Sequence, residues 1–367
     1  MIKLSIIRVP ENRRYWLIRA GTNSGEFYEQ FRANNVVAVG HANDVDFNFA
    51  DGHELTDLEK ERMIGSAGAR LQERNPGKLG EVTRLKSQLR RFLFEVSVGD
   101  TIITLKESSQ VVVGVVRSAP FYSNNNLYGR DGEKKVCDYN LRMGVEWGRP
   151  RRRDQVPLNL DRTLRIPHTI TEFRDPHQVR TLNHWLYPIH FTGDEVRCSL
   201  RIASENDLSN RQITKLSQTL DTLEELSSFI EYASLNCIEI NNVNFRQYIE
   251  SGKVVYSIKT QHLFMSPGYN FIQVPGSAVK KALFAGLLTI SFSGDGDLVD
   301  VPSNIDKYDV AQLLNEVLIA SDIASVKNEL KVSLPKQLPS GRTREEEMGM
   351  TLEDSSSDSD PIDGTML

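Results

Sequence analysis

"VVVGVVRSAPFY", residues 111–122, sets five valines in six positions around Gly114 and ends on a Phe–Tyr pair. β-branched side chains lose rotamers in a helix and fit the pleated surface of a sheet, so the run reads as a strand. A glycine inside a strand marks a bulge, a bend or the close approach of another group. Partners for such a strand lie on both sides of it in the chain. "YWLIRAG" (15–21), "VVAVGHA" (36–42) and "DTIITL" (100–105) are short apolar runs bounded by Gly and polar residues. Together they predict a small, curved sheet or barrel. Two segments between them, 55–77 and 82–96, have helical spacing instead; in the second, Leu85, Leu89, Phe92 and Leu93 share one face, with Arg84, Lys86, Arg90 and Arg91 around it. "YSNNNLYGRDGEKK" (122–135) reads as a long polar loop carrying two tyrosines.

The chain has 367 residues and 39% hydrophobic composition, enough for two domains with separate cores. No run of about 18 or more apolar residues is present, and "MIKLSIIRVPENRRYW" lacks the apolar core and cleavage site of a secretory leader. A soluble, cytoplasmic protein without membrane contact is expected. Three scattered cysteines, Cys137, Cys198 and Cys237, argue against a disulfide framework. Residues 1–165 hold 27 Lys+Arg against 21 Asp+Glu, a balance of +6, although the whole chain stands at -5. From Glu345 onward there are eight acids and no base. That composition predicts a disordered acidic tail over 337–367, serving solubility or competing with nucleic acid for the basic half.

After residue 165 the pattern changes. Ile213, Leu216, Leu220, Leu223 and Leu226 recur at three and four positions within 209–236, which predicts one long amphipathic helix. Strand-like "CIEI", "KVVYSIKTQHLF" and "FIQV" follow, then an apolar helix over 277–288, strand-like "LTISF" and "LVDV", and a last helix over 306–330 with Asp306 as N-cap. The class is α+β. The expected order is a strand-rich domain over 1–165 with inserted helices, a connector over 166–200, a mixed α/β domain over 201–336, and the tail.

Aromatic and basic residues recur together in the first domain. Trp16 precedes Arg19, Phe121, Tyr122 and Tyr128 flank the polar loop, and Trp147 precedes Arg149, Arg151, Arg152 and Arg153. Readers of bases need flat side chains on which an unstacked base can lie, and cations for the flanking phosphates. The competing reading makes both tryptophans core residues and the arginines a solvated loop. The series "YWLIRAG", "VVAVGHA", "LRRFLFEVSVGDTIIT", "VVVGVVRSAPFY", "RMGVEW" and "RDQVPLNLDRTL" resembles the N-terminal PUA-like domain attached to some predicted Mrr-type restriction endonucleases, which is similar in architecture to EVE and YTH domains. The resemblance covers about residues 10–170. It implies a small β-barrel that accepts a flipped, often modified base, and a place in prokaryotic defence against phage or foreign DNA. It gives as pocket candidates Trp16, Arg19, His41, Tyr122 and Trp147, with Arg149, Arg151, Arg152 and Arg153 on phosphates. One departure is that Gly40-His41 stands where the pattern has Gly-Trp; a histidine can stack or donate a hydrogen bond in its place.

The second half offers no matching chemistry. A nuclease of the Mrr, PD-(D/E)xK kind needs an acid, and a second acid two positions before the lysine, to hold a divalent metal. In "VVYSIKT" Ser257 stands in that place before Lys259. His177, His184, His190 and Cys198 have no zinc-finger spacing, and "FSGDGDLVD" reads as a turn. No catalytic residue, metal or cofactor is therefore assigned. Three readings stay open: a DNA-binding protein whose second domain engages a partner subunit or a second copy of the chain, a diverged metal-dependent endonuclease, and an RNA-binding module.

Overall fold

The structure, a computed structural model, describes residues 7–10, 13–22, 25–45, 47–106, 109–129, 135–204, 207–263, 268–293, 305–321 and 323–335. The predicted acidic tail, "LVDV" and most of "FSGDGDLVD" lie outside them. After a short strand β1 (Ile7–Arg8), the chain forms β2 (Tyr15–Ile18), α1 (Tyr28–Ala33), β3 (Val36–Val39), β4 (His53–Glu54), α2 (Asp57–Arg74) and α3 (Leu79–Arg90). The last of these widens into a π-helical turn over Arg91–Glu95. Then come β5 (Thr101–Lys106), β6 (Gln110–Val116), β7 (Phe121–Tyr122), β8 (Leu127–Tyr128), β9 (Val136–Cys137), β10 (Leu141–Trp147), β11 (Arg151–Arg152), α4 (Leu158–Leu164) and β12 (Ile170–Glu172). The rest comprises α5 (Pro176–Leu186), β13 (Ile189–Thr192), β14 (Glu195–Ile202), α6 (Asn210–Asn236), α7 (Asn242–Glu250), β15 (Lys259–Leu263), β16 (Gly268–Val274), α8 (Ala278–Ser293), α9 (Lys307–Ala320), α10 (Ile323–Leu330) and β17 (Val332–Ser333). The class is α+β.

Two compact units result. One is Asn12–Leu182; the other joins Met1–Glu11 to Asn183–Gln337. Two expectations are corrected. The first residues do not belong with the strand-rich unit, because Ile7 and Arg8 pair in parallel with His190 and Phe191 of β13. Nor is 166–200 a connector: β12 lies antiparallel to β2, with Ile170 opposite Ile18, and β13 and β14 are central to the other unit's sheet.

In the strand-rich unit the sheet runs β12-β2-β5-β6-β10-β7-β4, with β11 also on β6 and β3 also on β10. The valine run is β6, antiparallel to β5 over Thr101–Lys106. Its glycine makes room for an indole: a Cβ on Gly114 would lie 2.6 Å from Cε3 of Trp147. β10 changes partner along its length, pairing with β3 over Leu141–Gly144 and with β6 over Val145–Trp147, which turns the corner of the curved sheet. Its path does not return from β4 to β12 among the described residues, so the sheet is open where a closed barrel was expected. The polar loop 122–135 holds β8 of a two-stranded hairpin, Tyr128 facing Val136 of β9.

The other unit packs α6, α8, α9 and α10 on a sheet ordered β1-β13-β14-β16-β15, with β17 on β14. Leu216, Leu220, Leu223 and Leu226 of α6 are buried in this unit's own core with Phe229 and Ile230. Ser209 and Gln212 form a capping box at its start, and Asp306 caps α9 through the Tyr308 amide. Two strand expectations fail. "CIEI" is irregular, since Cys237 ends α6 in the left-handed region at φ 52°. "LTISF" completes α8, where Thr289 and Ser291 turn their hydroxyls back onto the carbonyls of Ala285 and Leu287, four residues earlier, and the apolar surroundings bury the β-branched side chains.

Candidate nucleic-acid interface

The residues expected to line a base pocket do not share one place. Trp16 is 0% exposed in the sheet interior, its Nε1 donating to Oδ2 of Asp100 at 2.7 Å and the Arg14 guanidinium 4.8 Å from its ring. Tyr122 is 2% exposed and meets Phe49 and Phe47 edge to face, at 5.5 and 6.4 Å between centroids. Both are core residues, because their strand positions face inward, and neither can take a base. Trp147 is half-buried; its ring lies over Gly114 and its Nε1 donates to the Phe31 carbonyl at 3.1 Å, so it supports the sheet. Arg19 spends its guanidinium on the carbonyls of Leu164 (2.9 Å) and Ile166 (2.7 Å), which holds the end of α4 against β2.

His41 is the exception. It follows β3 directly, is half-buried, and its Nε2 lies 3.4 Å from Oγ1 of Thr169, whose carbonyl accepts from the Arg19 amide at 2.9 Å. Burial pushes its pKa down, and the charge of Arg84 pushes it further the same way, so the ring is neutral at pH 7 and carries one donor and one acceptor nitrogen. Tyr139 packs its ring against the preceding Gly40, where a Cβ would fall 2.4 Å from Tyr139 Cε1. Phe27 meets Tyr139 edge to face at 5.1 Å. Burial raises the Tyr139 phenol to about 12, with the nearby Cys137 adding to it, so it stays a neutral hydroxyl. The two loops are cross-tied, since the Asn43 side chain donates to the Asp138 carbonyl at 2.9 Å and accepts from the Asn140 amide at 3.2 Å. Beneath them the buried Arg142 donates to the Tyr139 carbonyl at 2.8 Å and to Ser123 Oγ at 2.9 Å. Half-buried Phe27 and Tyr139 thus meet beside Gly40, and half-buried His41 meets Thr169, each pair close to the ends of β2 and β3.

No protein-family model matches the chain, and neither comparison with curated proteins nor comparison with solved structures gives a match.

Sequence reasoning named His41 and missed Phe27, Tyr139 and Thr169. Phe27 stands at the N-cap of α1, Tyr139 between β9 and β10, and Thr169 directly before β12, so no single sequence signal marks all three.

The arginine run is less open than its sequence suggests. Arg149 is exposed, but Arg151 is half-buried in β11 opposite Val111. Arg152 is paired with Asp154. Arg153 donates to Oδ1 of Asp161 through Nε (3.0 Å) and Nη2 (2.8 Å), while Arg165 takes Oδ2. Burial alone would raise the Asp161 carboxyl, yet the two arginines outweigh it and its pKa falls.

In the second unit Lys259 is exposed at the start of β15. Ser257 donates its hydroxyl to Oε1 of the buried Glu224 at 2.7 Å, and that carboxylate is paired with Lys280 at 2.8 Å. His184 bonds Ser199 at 2.9 Å and stacks on Phe271; His190 bonds the Tyr187 carbonyl at 2.7 Å; Cys198 is buried in the core. Among the described residues no group of three or more His, Cys, Asp or Glu is placed to hold a metal ion, and no helix is long and apolar enough to cross a membrane.

Proposed function

We propose that the strand-rich unit binds nucleic acid by taking one unstacked base against Phe27 and Tyr139, in an open version of the PUA-like architecture. The observation that carries the reading is His41, in reach of Thr169 and next in the chain to Gly40, against which the Tyr139 ring packs. An imidazole with one donor and one acceptor, next to a hydroxyl, matches the mixed donor and acceptor edge of a base, and the aromatic pair supplies a platform. Trp16 and Tyr122 hold the sheet that carries these loops. The remaining exposed cations suit the phosphates on either side. The pocket chemistry is common to DNA and RNA, and matched oligonucleotides of each distinguish them.

The test is fluorescence anisotropy with labelled single-stranded and duplex oligonucleotides, comparing the parent with His41→Ala and Phe27→Leu. A hydrogen bond contributes about 0.5–1.5 kcal/mol and a stacked base about 1–3 kcal/mol, so His41→Ala should lose roughly 2- to 13-fold and Phe27→Leu roughly 5- to 150-fold in affinity at an unchanged melting temperature. An oligonucleotide with one abasic position should lose as much with the parent. Parental affinity in both variants, with normal melting, refutes the pocket.

A further inference from the structure

Asp161 is shared by two arginines, each docked side-on. Arg153 presents Nε and Nη2 to Oδ1, and Arg165 presents Nε (2.7 Å) and Nη2 (2.6 Å) to Oδ2. The positive charge of Arg153 also reaches Arg19, whose pKa is lowered first by burial and then by that repulsion. Arg19 itself bonds to backbone carbonyls. Two guanidiniums therefore share one carboxylate, an excess of one positive charge, with the charge of Arg19 added near Arg153. Charge in such surroundings is costly unless an anion offsets it. The side chains of Arg153 and Asp161 are only 14% and 16% exposed, whereas that of Arg165 is 76% exposed. Docking through Nε and Nη2 leaves the Nη1 hydrogens of Arg165 outward, in the fork that suits a phosphate.

We propose that Arg153, Arg165 and Asp161 form a phosphate clamp that grips the backbone of a polynucleotide beside the His41 pocket, with Arg19 adding to its field. The proposal rests on the reading of this unit as a nucleic-acid binder. Its location follows from the chain: the Arg19 amide bonds Thr169, and Thr169 bonds His41. Asp161 is a positioning residue, since it holds the two forks in place and touches no phosphate itself.

The decisive variant is Asp161→Asn, because two explanations give it opposite signs. If the cluster attracts nucleic acid by charge alone, removing a negative charge strengthens binding. If the geometry of the forks matters, binding weakens about tenfold in spite of the added positive charge. Arg165→Gln, at an exposed side chain, is the companion that does not threaten folding. It should weaken oligonucleotide binding about tenfold and reduce the slope of log affinity against log salt by about 0.7–0.9, the share of one phosphate contact. An abasic oligonucleotide should show the same slope change, since the clamp reads no base. Tighter binding by Asp161→Asn, or an unchanged slope in Arg165→Gln, overturns the clamp whatever the His41 variants do. Loss in these two variants with normal binding by His41→Ala upholds the clamp and refutes the pocket. Absence of oligonucleotide binding by the parent overturns both. If inorganic phosphate raises the melting temperature of the parent and not of Arg165→Gln, while oligonucleotide affinity is equal in both, the cluster holds a free anion and the proposal falls.

Discussion

Lys280→Met should destabilise the second unit more than any surface change, and the arrangement around Glu224 gives the size. Lys280 Nζ lies 2.8 Å from Oε1 of Glu224, with side-chain exposures of 10% and 1%. At an effective dielectric near 20, two unit charges at that distance attract by about 6 kcal/mol, and the cost of taking both from water offsets part of it. Removing one partner leaves the other charged and buried, which costs about 3–5 kcal/mol. For a unit of this size that is a fall of roughly 6–20 °C in its thermal transition. The pH dependence has a definite sign. Burial would raise the Glu224 carboxyl, but bonds from Lys280 and Ser257 outweigh it and its pKa lies below the ordinary value. A depressed carboxylate contributes stability above its unfolded pKa of about 4.3, and the contribution is lost as pH falls through the folded value. In the variant burial dominates and the pKa rises, so acidification relieves the penalty and the gap between parent and variant narrows from pH 7 to pH 5. Adding Glu224→Gln should recover most of the loss, because an amide oxygen still accepts from the Ser257 amide and hydroxyl. Urea unfolding at both pH values is the assay. A gap below about 1 kcal/mol at pH 7, or one that widens on acidification, refutes the reasoning.

Two further outcomes concern the strand-rich unit. Gly114→Val should cost about 1–3 kcal/mol, since its Cβ would meet Trp147, Val145 and the Glu146 carbonyl at 2.6–2.7 Å; a melting curve equal to the parent's would show that the indole moves freely. Trp16→Phe leaves the buried Asp100 without its indole donor and a gap where the larger ring was, so it should lower stability by about 1–3 kcal/mol and leave oligonucleotide affinity unchanged. Weaker binding at unchanged stability would return Trp16 to the interface.

The parts of the fold legible in the sequence are those whose signal is local. Five valines around Gly114 became β6, and the leucine spacing from 216 to 226 became the buried face of α6. Asp306 was found because capping depends only on the next few residues. "LTISF" suits a strand by its β-branched residues, and only its packing in the unit's core as the end of α8 makes it helical. The proposed pocket was half legible. Which side of a strand faces the core cannot be told for Trp16, between Tyr15 and Leu17, and the burial of Tyr122 against Phe47 and Phe49 depends on residues far from it in sequence. Thr169 meets His41, and Tyr139 meets Gly40 and Phe27, through loops distant in sequence.

The pairing of Ile7 with His190 has a consequence for how the protein is made. When β1 leaves the ribosome, the strand it will lie beside is roughly 180 residues from being synthesised, which at about 5–20 residues per second is a wait of roughly 10–40 s. The strand-rich unit has time to fold in that interval while the earlier segment stays unclaimed. Closing so long a loop makes this contact late and slow to form, and a sequence fused ahead of Ile7 would be felt in the maturation of the far unit, not of the one that follows it in the chain.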